Sequence, residues 1–159
     1  MNIFVLDENI TTCAQYHCDQ HVIKMILEST QIMCTALNKK GFFTPYKPTH
    51  INHPCVLWTE TSYTNFLWLK ELALALNKEF RYRFDKTVDH KSVNVINEIE
   101  QYSFEDLGLT PFAQAMPEEY LVPKDAVQAY RNFYIGEKLS FAKWTKRSTP
   151  GWIPLHLRK

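Results

Sequence analysis

The residues from His17 to Leu37 constrain the fold more than any other part of the chain. Most positions from Val22 onward are apolar, and the polar ones recur at spacings of 4, 3, 4, 3 and 4. At about 100° per residue, these polar residues fall in one column of an α-helix. They are His17, His21, Lys24, Glu28, Gln31 and Thr35. The pattern predicts a long helix that is buried on most of its circumference and polar along one narrow strip.

Capping signals predict three further helices, while strand patterning is weak throughout. Cap-type residues occupy Asp7 to Thr12, and Lys39-Lys40-Gly41 supplies a basic last turn with a C-cap glycine. Pro54 suits the first turn of a second helix, which can run in one or two pieces. The predicted helices run from about 12 to about 38, from 54 to about 84, over 92–102, and from about 125 to about 144 with a bend at Gly136.

The chain is expected to form one domain over residues 1–159, because it contains neither repeats nor low-complexity linkers. Met1–Leu6 is apolar and is expected to lie extended against the core, and 103–123 reads as a long loop. The predicted fold class is therefore all-α: a compact single-domain helical bundle with two long helices and a short extended N-terminal segment.

The four cysteines lack the spacing of a disulfide framework or a zinc ribbon. No apolar run approaches the roughly 20 residues that a membrane span needs, and the first residues lack the basic start of a signal peptide. We therefore expect a reducing, cytoplasmic location and no membrane partner. The net charge is +1, but residues 124–159 carry eight Lys/Arg against two Asp/Glu, which is typical of an end that faces a polyanion.

The polar column of the first predicted helix combines acid–base groups. Glu28 follows Lys24 by one turn, and two imidazoles lie on the same face. The alternative is that the column is the solvent-facing side of an amphipathic helix, although such faces favour runs of Lys and Glu, and we favour a functional site. His17 and His21 could also share a metal ion with His50 and His53, although this pair lacks the glutamate of a metalloprotease helix. The sequence favours a site without metal or cofactor.

Ordered landmarks along the chain give it a resemblance to a known superfamily. They are Asp19-Gln20-His21 with Lys24 and Glu28, then His53-Pro54 with Val56 and Trp58, an aromatic helix ending in Arg81 and Arg83, and the segment Tyr130–Lys138. Because these landmarks occur in this order, the chain resembles the pyrimidine-dimer DNA glycosylase/endonuclease V-like superfamily of small all-helical repair proteins. The resemblance implies cleavage of the N-glycosidic bond of a damaged or modified base in double-stranded DNA.

In that superfamily, the N-terminal amine attacks the sugar carbon and a Schiff base permits cleavage at the abasic site. The resemblance implies that Glu28 is the essential carboxylate, with His21 and Lys24 contacting phosphate or tuning it. The family exposes the amine of a small residue after removal of the initiator methionine, whereas residue 2 here is Asn2. The amine of Met1, the amine of Lys24 or a water molecule therefore remain alternative nucleophiles.

Further residues are expected to bind the substrate. The loop holding His50 and His53 can close over the polar column, and basic residues interleaved with aromatic rings can contact phosphates and bases. The predicted substrate-binding residues are His17, Gln31, His50, His53, Arg81, Arg83, Arg131, Lys138 and Lys143. No obligate protein partner is implied. Two alternatives stay open: a non-catalytic nucleic-acid or nucleotide-binding viral accessory protein, and a histidine-coordinated metal-dependent hydrolase.

Overall fold

A computed structural model describes residues 1–159 and confirms the all-α class, with six α-helices and no strand. The helices are α1 (Ile10–Tyr16), α2 (Asp19–Lys39), α3 (Pro54–Thr61), α4 (Tyr63–Arg83), α5 (Ser92–Ile99) and α6 (Ala126–Phe133). The two long helices, α2 and α4, have 21 residues each and pack against one another at the centre. None of the helices combines the length and apolar character that crossing a bilayer requires.

The first predicted helix is two helices, which corrects the single long helix expected from the pattern. The chain is extended at His17 and Cys18, with ψ of 134° and 162°. Beyond the break, the Asp19 amide donates to the carbonyl of Lys143 over 2.7 Å, and the Asp19 carboxylate accepts from the Thr145 amide and hydroxyl. Contacts from the far end of the chain therefore fix the start of α2.

The remaining helices follow the predicted order but differ in length. The helix expected from Pro54 forms two pieces, because Ser62 is extended at φ −151° between α3 and α4. The third ends at Ile99 instead of Tyr102. The last helix gives way after Phe133 to one π-helical turn, Tyr134–Lys138, so the helix expected to reach Trp144 is shorter. The Tyr120 ring packs against the backbone of Gly136 in this turn, where a side chain would collide with it.

One hydrophobic core of 30 buried residues joins the N-terminal segment to the helices. Ile3, Phe4, Val5 and Leu6 are all at most 5% exposed. Phe4 contacts the rings of Tyr130, Phe133 and Tyr134 from the other end of the sequence. The extended N-terminal segment is thus a core element, and its position depends on α6.

A buried arginine ties the break between α1 and α2 to α4. The Arg83 guanidinium donates to the carbonyls of Gln15 and His17 and to the carboxylates of Asp19 and Glu79. Arg147 donates to the same Glu79 carboxylate through two nitrogens, at 3.0 and 2.8 Å. Burial raises the pKa of Glu79, but the guanidinium groups of Arg147 and Arg83 outweigh it and hold that pKa below its ordinary value.

We predict that Arg83→Ala destabilises the fold by about 3–5 kcal/mol, because it leaves two carbonyls without their donor and Glu79 with Arg147 as its remaining guanidinium partner. Urea unfolding followed by circular dichroism measures this. Arg81→Ala, two residues away on the same helix, is the control, since the Arg81 side chain is 46% exposed and pairs with Asp89 at the surface. That variant should lose no more than about 1 kcal/mol. Equal losses in the two variants would contradict the role of Arg83.

A candidate active site at the amino end of the chain

The α-amine of Met1 meets the carboxylate of Glu28. The amine lies 2.7 Å from Glu28 Oε1, and the side chains of the two residues are 3% and 11% exposed. Glu28 projects from the middle of α2, three turns beyond the break at Cys18. A carboxylate that is removed from water needs a charged or hydrogen-bonding partner, and here the chain end supplies it.

The side chain of Asn2 anchors the chain end. Its amide nitrogen donates to the carbonyl of Ala115 over 2.8 Å, and its amide oxygen accepts from the hydroxyl of Tyr130 over 2.9 Å. The Tyr130 hydroxyl in turn accepts from the Ala115 amide. Since these partners come from the loop before α6 and from α6 itself, Asn2 fixes where the Met1 amine lies. The Tyr130 ring is fully buried.

The second oxygen of Glu28 is not hydrogen-bonded. Oε2 is buried without a hydrogen-bond partner, and the Lys24 amine lies 3.6 Å away, which is an ion-pair distance but too long for a hydrogen bond. The Lys24 side chain is 69% exposed and can therefore move away from the carboxylate. Buried polar atoms are nearly always satisfied, so an unpaired carboxylate oxygen beside an amine marks a site of chemical interest.

His53 borders the same site. It is the N-cap of α3, where its Nδ1 accepts from the Cys55 amide over 3.1 Å. Because a neutral imidazole that accepts at Nδ1 carries its proton on Nε2, this contact selects the tautomer. Burial lowers the pKa of His53, and the charges at Met1 and His50 lower it further, against smaller opposing effects of Glu28 and the Met1 carbonyl. His50 is exposed, has a positive φ of 50°, and bonds to Thr49.

The face of α2 that meets solvent is not the predicted polar column. His21, Glu28 and Thr35 of that column are buried, whereas Ile23 and Leu27 are 42% and 38% exposed. The column instead lines the flank of α2 that other parts of the chain cover. Gln31 is half-buried and its side chain makes no hydrogen bond in the structure. Of the six residues in the column, only Lys24 is exposed, whereas a column facing solvent would expose all six.

His21 is held inside the protein by aromatic rings. Its Nδ1 lies 2.6 Å from the hydroxyl of Tyr134, and its ring stacks on Phe4 at 4.4 Å between centroids. Burial, with smaller effects of His17, Lys138 and Lys24, lowers its pKa to about 3. A neutral imidazole cannot form an ion pair with a phosphate, so the predicted phosphate contact of His21 does not suit this environment.

His17 lies at the end of α1, not on the helix that carries Glu28. It is fully buried, and its Nδ1 bonds to the carbonyl of Cys13 over 2.7 Å. Burial lowers its pKa to about 4. The continuous helix that would align His17 with His21 for a shared metal ion is interrupted. No group of three or more His, Cys, Asp or Glu side chains is arranged to hold a metal.

The arginines predicted to bind DNA are engaged within the protein. Arg83 is buried in the cluster described above, at odds with a phosphate contact. Arg81 donates to Asp89 and to the carbonyls of Lys86 and Thr87. Arg131 bonds to Asp7 and to the Leu6 carbonyl, and its guanidinium lies over the rings of Tyr16 and Trp152.

The two predicted lysines are more open. Lys143 is exposed beside the start of α2, where its carbonyl accepts from Asp19. The Lys138 amine lies 4.6 Å from the centre of the Phe133 ring and near His21. The Lys138 and Lys24 amines are both close enough to lower the pKa of His21, so they place positive charge on this side of α2.

Larger surface hollows lie away from this site. Cavities of about 490 and 480 Å³ lie against α1 and α4 and beside the start of α6, and neither is lined by Met1 or Glu28. The Met1–Glu28 pair is therefore not part of either cavity. No model of a known family matches the chain, and neither curated proteins nor solved structures provide a match.

We predict that His17 makes stability depend on pH. Its folded pKa of about 4 lies below the ordinary value of 6.5, so the unfolded chain binds the proton first. The stability contribution is complete above about pH 6.5 and is lost as the pH falls towards 4, by roughly 2 kcal/mol between pH 7 and pH 5. His17→Gln should remove this part of the loss, as urea unfolding at the two pH values measures. The exposed His156→Gln is the control, and an identical pH dependence in both variants would contradict the assignment.

Proposed function

We propose that the protein is a DNA N-glycosylase that removes a damaged or modified base, with the α-amine of Met1 as nucleophile and Glu28 as its partner. The observation that carries the proposal is the 2.7 Å contact between the amine and Glu28 Oε1. The sequence left Met1, Lys24 and water as alternative nucleophiles. The Met1 amine contacts Glu28 at 2.7 Å, whereas the Lys24 amine lies 3.6 Å away on a side chain that is 69% exposed, and this difference favours Met1.

The proposed reaction begins with transfer of a proton from the Met1 ammonium to Glu28. The neutral amine then attacks C1′ of the deoxyribose, forming a nitrogen–carbon bond as the bond from C1′ to the base breaks. The base leaves with the electron pair of that bond and takes up the proton that Glu28 accepted, which restores the carboxylate. Opening of the sugar ring next gives a Schiff base between Met1 and C1′, with the ring oxygen protonated. Loss of a proton from C2′ then expels the 3′ phosphate, which is the abasic-site lyase step.

Glu28 has two tasks in this scheme, and its two oxygens suit them. Oε1 contacts the amine and can accept its proton. Once that proton has passed to the departing base, the carboxylate is charged again, and Oε2, which has no hydrogen-bond partner, can stabilise the positive charge that develops on the sugar. Lys24 is near enough to balance the carboxylate before substrate binds and exposed enough to turn towards a phosphate.

Asn2 and His53 are positioning residues in this proposal. Asn2 holds the first peptide unit against α6. His53 is fixed by its cap contact with Cys55, and its low pKa keeps the ring neutral beside the amine. A neutral neighbour does not oppose the positive charge that the amine and the Schiff base carry. Correct alignment of an amine against a sugar carbon contributes much of the rate in reactions of this kind.

We predict that the protein forms a covalent adduct with an oligonucleotide containing an abasic site when cyanoborohydride is present. An abasic site bypasses recognition of the base, and the hydride reduces the Schiff base to a stable amine. Gel electrophoresis detects the adduct, and mass spectrometry of its peptides should place the sugar on Met1. Irradiated or base-modified duplexes then test excision itself. Protein that gives neither adducts nor abasic sites on any of these substrates would refute the proposal.

The amine itself is tested by adding two residues before Met1. The extended chain should lose the adduct, because the nucleophile becomes an internal peptide nitrogen. Two residues added after Lys159 provide the matched control and should leave the adduct unchanged. Intact mass must first establish that the unextended protein begins with an unblocked Met1. An adduct of normal yield in the N-terminally extended protein would transfer the role to a lysine.

We predict that Glu28→Gln lowers the rate of adduct formation by about 100-fold or more, the usual loss when a charge-stabilising group is removed. Single-turnover rates measure the loss. Glu60→Gln is the control, because Glu60 also pairs with an amine, that of Lys39, at 2.8 Å, but on a different helix. DNA binding should survive in both variants. Wild-type rates in Glu28→Gln would exclude the carboxylate from the chemistry, and binding without turnover in wild-type protein would favour the non-catalytic alternative.

A further inference from the structure

The last part of the chain carries positive charge that no acidic side chain near it in sequence balances. Residues 138–159 include six Lys/Arg and no Asp or Glu. Four of the five arginines in the chain pair with a carboxylate, namely Arg81, Arg83, Arg131 and Arg147. Arg158 is the exception, because its Nε and Nη2 donate only to backbone carbonyls of residues 150–153. Its guanidinium is therefore fixed in place without an opposite charge.

Arg158 lines a cavity that gathers two more positive charges of this kind. The cavity has a volume of about 300 Å³ and lies between the segment that follows α6 and the last residues of the chain. Lys143 and Lys159 also line it, and the Lys159 amine donates to a carbonyl, that of Ser140, instead of a carboxylate. No acidic side chain is part of the lining. Three cations around one cavity attract anions, and most strongly those with more than one charge.

The rest of the lining is apolar and includes the indole ring of Trp144. The indole N–H donates to the carbonyl of Tyr16 over 2.8 Å, which fixes the orientation of the ring. The other three tryptophans of the chain pack against aromatic rings, whereas half-buried Trp144 has no aromatic partner. A fixed indole without a ring partner offers a surface on which a planar ring can stack.

We propose that this cavity binds a phosphorylated nucleoside, with the base against Trp144 and the phosphate between Arg158 and the two lysines. A phosphate monoester carries about two negative charges at neutral pH, whereas a carboxylate carries one, so the monoester matches three cations better. The remaining guanidinium donors of Arg158 suit phosphate oxygens. A volume of about 300 Å³ is at the lower end for ligand pockets, which favours a single nucleotide over a longer strand.

The site is separate from the candidate active site, since neither Met1 nor Glu28 lines the cavity. Two sources supply the same chemistry: a free nucleoside monophosphate and the 5′-phosphorylated end of a DNA strand. Binding at this cavity does not require the glycosylase chemistry proposed above. The two proposals can therefore hold or fail independently.

Calorimetric titration with deoxyadenosine 5′-monophosphate, deoxyadenosine and inorganic phosphate tests the proposal. The monophosphate should bind at least about tenfold more tightly than either of the other two, because it makes the contacts of both at once. Equal affinity for the monophosphate and inorganic phosphate would remove the role of Trp144. Equal affinity for the monophosphate and deoxyadenosine would remove the role of the cations. Either result, or the absence of binding, would overturn the proposal.

Variants locate the binding within the molecule. Arg158→Gln should weaken binding of the monophosphate by about tenfold, and Lys143→Gln by about threefold, because each removes one positive charge. Arg158 also holds the last residues through carbonyls, so circular dichroism must accompany that variant. Lys143 is exposed and its side chain makes no hydrogen bond, so Lys143→Gln reports on binding without a change in fold. Lys91→Gln removes an exposed charge at the start of α5 and should bind like wild-type protein. Equal losses in Lys91→Gln and Lys143→Gln would indicate diffuse attraction and overturn the site.

Competition distinguishes the two sources. A single strand with a 5′ phosphate and the same strand with a 5′ hydroxyl are each added to protein loaded with the monophosphate. Displacement by the phosphorylated strand alone assigns the site to strand ends, and displacement by neither strand assigns it to free nucleotides. Equal displacement by both strands would overturn the proposal, because phosphodiesters would then suffice.

Discussion

Burial of the Glu28 carboxylate against the Met1 amine is the constraint on which the candidate site depends. A carboxylate with an 11% exposed side chain would lose much of its hydration without an opposite charge nearby. The amine can meet that need only if the first residues are held in one place. Asn2 and the buried segment that follows it provide this, through contacts with α6 and the loop before it. The last third of the chain therefore determines the geometry at its first residue.

The protein contains a second buried ionic cluster, around Arg83. The two clusters differ in whether their carboxylate oxygens are all hydrogen-bonded. Around Arg83, every donor contact is matched by a carbonyl or carboxylate, and Glu79 is bonded through both oxygens. Such a fully satisfied group holds elements in register and offers nothing to a substrate. At Glu28, one oxygen is bonded and the other is not. The incomplete cluster also lies beside an exposed lysine, where a ligand could complete it.

Much of the helical layout could be predicted from local signals, because apolar periodicity, the proline at α3 and the glycine after α2 act over a few residues. The break at His17 and Cys18 could not, since Asp19 is fixed by Thr145 and Arg83, which are far away in sequence. The burial of individual side chains could not be predicted from local signals either. A helical wheel grouped His21 with Glu28, but only the folded chain reveals that Tyr134 and Phe4 enclose His21. The contact of Glu28 with Met1 also joins residues that no local pattern relates.

The same geometry makes the chain end a better candidate for the reacting amine than a lysine. An α-amine loses its proton more readily than a lysine ammonium, so it does not need deep burial to become a nucleophile near neutral pH. It also carries no flexible four-carbon stem, so anchoring Asn2 is enough to aim it. Lys24, four residues from Glu28 and largely exposed, has neither advantage. An α-amine that Asn2 anchors beside a half-satisfied carboxylate therefore needs neither a buried lysine nor a deep cavity around it.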